Sequence, residues 1–315
     1  MNDRKAYMAL AVVCVVWGTT YPAMTIGALG LPPLLFAGLR HCSAGICLWI
    51  YLLLFLKRRV ELSARHILRQ AFPGILMFAC SNGTINWAEK YIPGGLAALI
   101  LSVMPVYVVL INLVSGTGKR MMSPKTLLGV ILGGVGVALI FRDNLKDLGN
   151  RDYLLGILAV FGASLCWTLG TMYIKKYNTQ TGDSLVNIAI QMCSGGAVLL
   201  VASYFWDAPA SLSSVLPESV WALGYLVVFG SLITYLCYVY AVRKLPVGVV
   251  SVYTYLNPFI AIVIGHFWLH ERITWVTALA FAATMGGVYF INRDYLKSFP
   301  VGFSRYPSDA LSEKV

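Results

Sequence analysis

Charge is what this sequence has least of. Only 12% of its 315 residues are charged and just 13 are Asp or Glu, against 58% hydrophobic residues and a mean hydropathy of +0.74. A soluble domain carries roughly 25% charged residues, so that class is excluded. A phosphate-cradling G-x-x-x-x-G-K-[ST] loop is missing, which argues against ATP-driven work by this chain alone. The seven cysteines all lie in apolar stretches without metal-ligand spacing, and read as small packing residues. His41, His66 and His270 fall near expected loops or interfaces and make no metal-spaced cluster. Neither paired catalytic acids nor a Ser/His/Asp order appears, so we expect no enzyme, no metal and no cofactor.

What remains is apolar helix. At about 20 residues per membrane span, ten helices are expected near 6–27, 33–56, 70–90, 94–114, 124–141, 153–173, 184–204, 220–242, 247–269 and 273–292. The uncharged run from Ala6 to Leu39 is longer than a signal-peptide core, and reads as a retained first helix. The net charge of +11 does not point to nucleic acid, because Lys and Arg sit in short runs between apolar segments. With the N-terminus in the cytoplasm, 18 basic residues fall inside, five outside and one, Arg40, within a helix. That bias predicts cytoplasmic N- and C-termini.

The chain also repeats itself. At an offset of 153 residues Pro93 matches Pro246, Gly95 matches Gly248, Pro105 matches Pro258 and Lys90 matches Arg243. Trp17 matches Trp167, and Arg40-His-Cys-Ser-Ala-Gly matches Gln191-Met-Cys-Ser-Gly-Gly. Two halves, 1–142 and 143–315, follow. Five helices is an odd number, so the second half enters the membrane from the opposite face. The expected fold is an all-α integral membrane protein of ten helices in two inverted-topology repeats. Such repeats supply two near-equivalent conformations, which is what alternating access needs; the bland alternative is duplication that merely built a larger bundle.

Trp17-Gly18 with Pro22, Leu31-Pro32-Pro33 with Leu39-Arg40, the two Pro…Pro stretches and Leu269-His270-Glu271-Arg272 together resemble EamA-type members of the drug/metabolite transporter superfamily. The resemblance spans about residues 6–292. Where the second half has Glu271 the first has Gly118, so this Glu reads as structural. The resemblance implies carriage of amino acids, sugars, nucleotide precursors or toxic metabolites, often outward across the bacterial inner membrane. It implies a small-molecule substrate and the lipid bilayer as partners, in a monomer or homodimer.

Arg40 reads either as a guanidinium clamp for a substrate carboxylate or as a snorkelling, helix-locking residue. Asn82 and Asn86, at i and i+4 with Trp87 beside them, together with Tyr235 and Tyr238 of the matching helix, are expected to line a polar cavity or to bond between helices. Trp17, Thr20, Tyr21 and Trp167 are cavity or packing residues. Pro93, Pro105, Pro246 and Pro258 are expected hinges, or simple kinks. No acid is expected at mid-membrane, since Glu89 and Glu271 lie at helix ends. Coupling, if any, must then use an edge acid, His266 or the substrate's own charge, so a facilitative carrier or exchanger is the expectation, and the resemblance implies an exporter. A membrane-embedded enzyme or a non-transporting receptor or assembly subunit are the rivals.

Overall fold

The computed structural model describes residues 2–56, 63–114, 124–143, 150–177, 183–208, 215–245, 253–270 and 273–298. All regular structure among them is helical. The first half holds α1 (Asn2–Gly30), α2 (Pro33–Ile50), α3 (Ala64–Gly74), α4 (Thr84–Ala88), α5 (Gly94–Leu101), α6 (Met104–Val114) and α7 (Pro124–Asp143). The second holds α8 (Arg151–Tyr177), α9 (Ser184–Trp206), α10 (Pro217–Tyr225), α11 (Thr234–Lys244), α12 (Tyr253–Leu269) and α13 (Trp275–Ser298). Five described helices are long and apolar enough to cross a membrane: Arg4–Gly30, Pro33–Phe55, Arg151–Ile174, Ser184–Trp206 and Pro217–Tyr238. Their outward surfaces are apolar, and exposed aromatics gather where α9 ends (Trp206), α10 starts (Trp221), α12 ends (Trp268) and α13 starts (Trp275). Tryptophan at helix ends is the composition of a membrane interface.

Helix starts follow their local chemistry. Ser63 caps α3 by accepting from the His66 N–H, and Asp183 caps α9 by accepting from Leu185 N–H. Proline opens α2, α7 and α10, where its missing N–H costs nothing. The expected helix over 94–114 is interrupted. Ser102 and Val103 form tight turns, Ser102 N–H reaching Ala98 and Leu99 and its hydroxyl donating to Leu99 O at 2.6 Å. Pro105, lacking the N–H that Leu101 O would accept, accounts for the break.

Besides the π turn Tyr51–Phe55 that follows α2, two stretches that join helices depart from α geometry. Ile75–Gly83 joins α3 to α4 as a π-helix, and Leu226–Ile233 joins α10 to α11 in the same way. Each π stretch offers a carbonyl that a side chain five residues on takes up: Asn82 Nδ2 donates to Met77 O at 3.1 Å, and Thr234 Oγ1 donates to Phe229 O at 2.6 Å. Neither stretch is visible as such in the apolar pattern.

Packing pairs the halves. α2 lies along α9 and α7 along α13. α1 packs on α10, α11 and α12, while α8 packs on α3, α4, α5 and α6. At the α2–α9 crossing, a Cβ on Gly45 would stand 2.5 Å from Cys193 Sγ, and one on Gly196 would stand 2.6 Å from Cys42 N. Cys42-x-x-Gly45 therefore meets Cys193-x-x-Gly196 reciprocally, each glycine seating the other's cysteine.

Candidate functional site

Enclosed between these helices is a cavity of about 90 Å³. α1 contributes Trp17, Thr20, Tyr21 and Met24, and α2 contributes Arg40 and His41. The first π stretch and α4 add Phe78, Ser81, Asn82 and Ile85, while the second π stretch and α11 add Gly230, Ser231 and Tyr235. Leu101 and Met104 enter from the two sides of the broken helix, with Trp167, Met192, Tyr253 and Asn257 completing the wall. Broken and widened helices thus converge on one space, the arrangement that exposes backbone and side-chain polar groups inside a bundle.

Arg40 is 4% exposed and forms part of this wall. Its Nε donates to Ser231 Oγ at 3.0 Å and its Nη1 to the weakly accepting Met24 Sδ at 3.2 Å. These bonds hold the guanidinium across the cavity instead of letting it snorkel out. Gly230 keeps the space beside it, since a Cβ there would sit 3.3 Å from Nη2. His41, 1% exposed, sets its ring 4.7 Å from that of Phe78 at a tilt of 42°, and both of its nitrogens lack a hydrogen-bond partner among the described residues. Ser81 Oγ, also on the wall, is in the same condition. The cavity thus holds buried donors and acceptors that a polar ligand can satisfy.

Aromatic rings form another part of the cavity wall. Trp17 meets Trp167 edge-on at 6.3 Å, Tyr253 at 5.2 Å and Tyr238 at 5.1 Å. Its Nε1 donates to Gly230 O at 3.2 Å, tying α1 to the second π stretch. Thr20 and Thr171 spend their hydroxyls on Trp17 O and Trp167 O, at 2.7 and 2.9 Å.

Most of the expected site residues come together here: Arg40, Asn82, Trp17, Thr20, Tyr21, Trp167 and Tyr235 all line the cavity. Three do not. Asn86 is fully buried away from it, Trp87 packs on Tyr91 at 5.0 Å, and Tyr238 stands behind Trp17, Tyr235 and Tyr253. The π stretch ends at Gly83, between Asn82 and Asn86, and its wider turn breaks the shared face that α periodicity implies. Pro93 precedes α5, Pro105 lies in α6 beside the break, and Pro258 is inside α12. Pro246, Gly118 and Glu271 lie outside the described residues. Sequence reasoning misses His41, Ser81 and Ser231. His41, expected near a loop or interface, is buried next to Arg40 on the cavity wall. Glu89 keeps its place at the end of α4 yet is only 5% exposed, with Oε2 accepting from Thr25 Oγ1 at 3.2 Å.

Long apolar helices around a polar, aromatic-walled cavity define a multi-pass membrane protein of the transporter class. A model of the EamA-like transporter family matches residues 4–142 and again 154–293. This chain belongs to that family. It is 30% identical over 262 residues to the uncharacterized inner membrane transporter YedA of Escherichia coli K12, covering 82% of this chain and 80% of that one. It is 29% identical over 281 residues to the uncharacterized transporter YvbV of Bacillus subtilis 168, covering 87% of each. A probable amino-acid metabolite efflux pump of Escherichia coli K12 is 25% identical over 295 residues, 92% of this chain and 95% of that protein. One solved crystal structure, 16% identical, superposes with a TM-score of 0.63 over 94% of this chain and 99% of its own, a likeness of fold.

Proposed function

We propose that this chain is a secondary, ATP-independent carrier that exports a small metabolite bearing an anionic group, such as an amino acid or related compound, by alternating access. The single observation that carries this is Arg40, buried in the wall of a cavity that aromatic rings also line, and held by Ser231. A desolvated guanidinium is the natural partner of a carboxylate, and the rings accept an apolar body. The relative named as an efflux pump supports the outward direction.

The moving parts are two inverted five-helix repeats, 1–142 and 143–315, in the bacterial inner membrane, with both termini cytoplasmic. The twofold family match, the reciprocal Gly45–Cys193 and Gly196–Cys42 contacts, and the paired π stretches support the repeat. So does the way each half's first helix packs on the other half. The break beside Pro105 and the proline inside α12, Pro258, supply the bends. On this reading the chain performs no catalysis, binds no nucleic acid and works as a monomer or homodimer.

Counterflow in proteoliposomes, with labelled amino acids, sugars and nucleosides, tests this. Wild type accumulates one class, and Arg40→Ala weakens its apparent affinity by about 10–150-fold, the loss of a hydrogen bond to a charged group. Undiminished counterflow in a folded Arg40→Ala protein would refute the anion-binding role.

A further inference from the structure

Among the aligned positions at which the halves differ in charge, two carry buried charged residues in the first half. Arg40 stands where the second half has Gln191, and Glu89 where it has Val242. One half has thus gained a cation and an anion together, both buried. Glu89 closes α4 beneath Pro93 and binds Thr25 of α1. Thr25 is next to Met24, the residue to which Arg40 Nη1 donates, and Tyr21, one turn before Thr25, lines the cavity. The carboxylate therefore stands behind the cavity wall, and Glu89 and Arg40 bind adjacent residues of α1.

The charged and titratable groups around it come from each packed element. α1 brings Tyr21, α2 brings Arg40, and α10 brings Tyr225, which acts on Arg40. α8 meets the turn with Gly156, and its Tyr153 packs on the same apolar cluster. Gly94 of α5 lies against Thr25 and Tyr21 of α1, and Lys90, next to Glu89 in sequence, is exposed. A buried ionisable residue inside a membrane protein marks an ion or proton site by default.

We propose that Glu89 is a proton-binding site linked through Arg40 to the anionic substrate, so that anion and proton bind cooperatively and travel together. With the cavity empty, ionised Glu89 balances Arg40. A carboxylate arriving at Arg40 takes over that balance, and the buried Glu89 then takes up a proton from water; when the anion leaves, the proton leaves. Linkage makes the effect mutual: the proton favours the anion as much as the anion favours the proton. A metabolite accumulated in the cytoplasm would thus carry a proton out with it. This deepens the anion-carrier reading and rests on it. It replaces the uncoupled carrier expected from sequence, because a helix-end acid proves to be a buried one.

The test has two arms. The first needs no substrate: pH-difference infrared spectroscopy of the purified full chain, with the Glu89 carboxylic-acid band assigned by its loss in Glu89→Gln. In Arg40→Gln, or in Arg40→Met if that folds better, the band should persist about one pH unit or more above wild type, a tenfold change in proton affinity. A band that titrates alike with and without Arg40 overturns the proposal. In the second arm, a pH dye trapped in the proteoliposomes follows protons while the same labelled panel is transported. Wild type should move protons with substrate, and Glu89→Gln should exchange substrate without them. Substrate movement without protons in wild type also overturns it. Transport of nothing in the panel counts against the carrier reading, while the infrared arm still judges the Glu89–Arg40 link.

Discussion

The α2–α9 crossing offers the sharpest test of how the halves are joined. Adding one methyl at Gly196 brings a carbon to 2.6 Å from the Cys42 backbone nitrogen and 2.7 Å from its sulfur. At Gly45 the same methyl meets Cys193 Sγ at 2.5 Å and its backbone nitrogen at 2.9 Å. Side-chain rotation cannot relieve a clash with backbone, so the two helices must separate. Overpacking of this kind costs about 1–3 kcal/mol. Large domains lose about 2–4 °C of Tm per kcal/mol, so Gly196→Ala should lower the unfolding temperature in detergent by several degrees. Gly45→Ala should do the same. Once the helices have parted for one methyl the second meets less resistance, so the double variant should lose less than the sum. A methyl added to Gly162 on α8 would meet none of the described residues within 4 Å, which makes Gly162→Ala the control. That variant should hold or raise stability, since alanine favours helix by about 0.5–1 kcal/mol. Full stability in Gly196→Ala, or an equal loss in Gly162→Ala, would refute the reciprocal crossing.

Two further outcomes follow from the same contacts. Gln191 Nε2 donates to Gln70 Oε1 at 2.8 Å in a buried α3–α9 pair. Truncating either glutamine alone should cost about 1–3 kcal/mol, and replacing both with apolar residues should cost less than the two singles together, as read by a double-mutant cycle in thermal unfolding. Pro105→Ala restores the N–H that lets α5 run into α6. It should slow counterflow by about tenfold or more while leaving the protein as stable or more so, since an interior proline costs a helix about 3 kcal/mol. Unaltered counterflow would make the break a passive kink.

Much of this protein is legible in its amino-acid sequence. Charge scarcity and the length of the apolar runs identify a helical membrane protein, because a bilayer demands backbone hydrogen bonds within each span. The residues of the family resemblance are visible as written, and the family match agrees with them. Arg40 stands out because a charge inside an apolar helix is expensive and therefore rare. Pro105 announces the break in its helix for the same local reason, the missing N–H.

What the sequence does not determine depends on rotation and contact. The π stretches change which residues face inward, and so separate Asn82 from Asn86 although four positions apart they would share an α face. Ser231 cannot be named as Arg40's partner from 191 residues away. Glu89 shows the division most clearly. Its place at a helix end is read from the chain, but whether an end is wet or buried is decided by what packs over it. Thr25 of α1 binds its carboxylate and Arg40 of α2 binds Met24, the residue beside Thr25, and only the folded arrangement brings the two charged groups to neighbouring positions on α1.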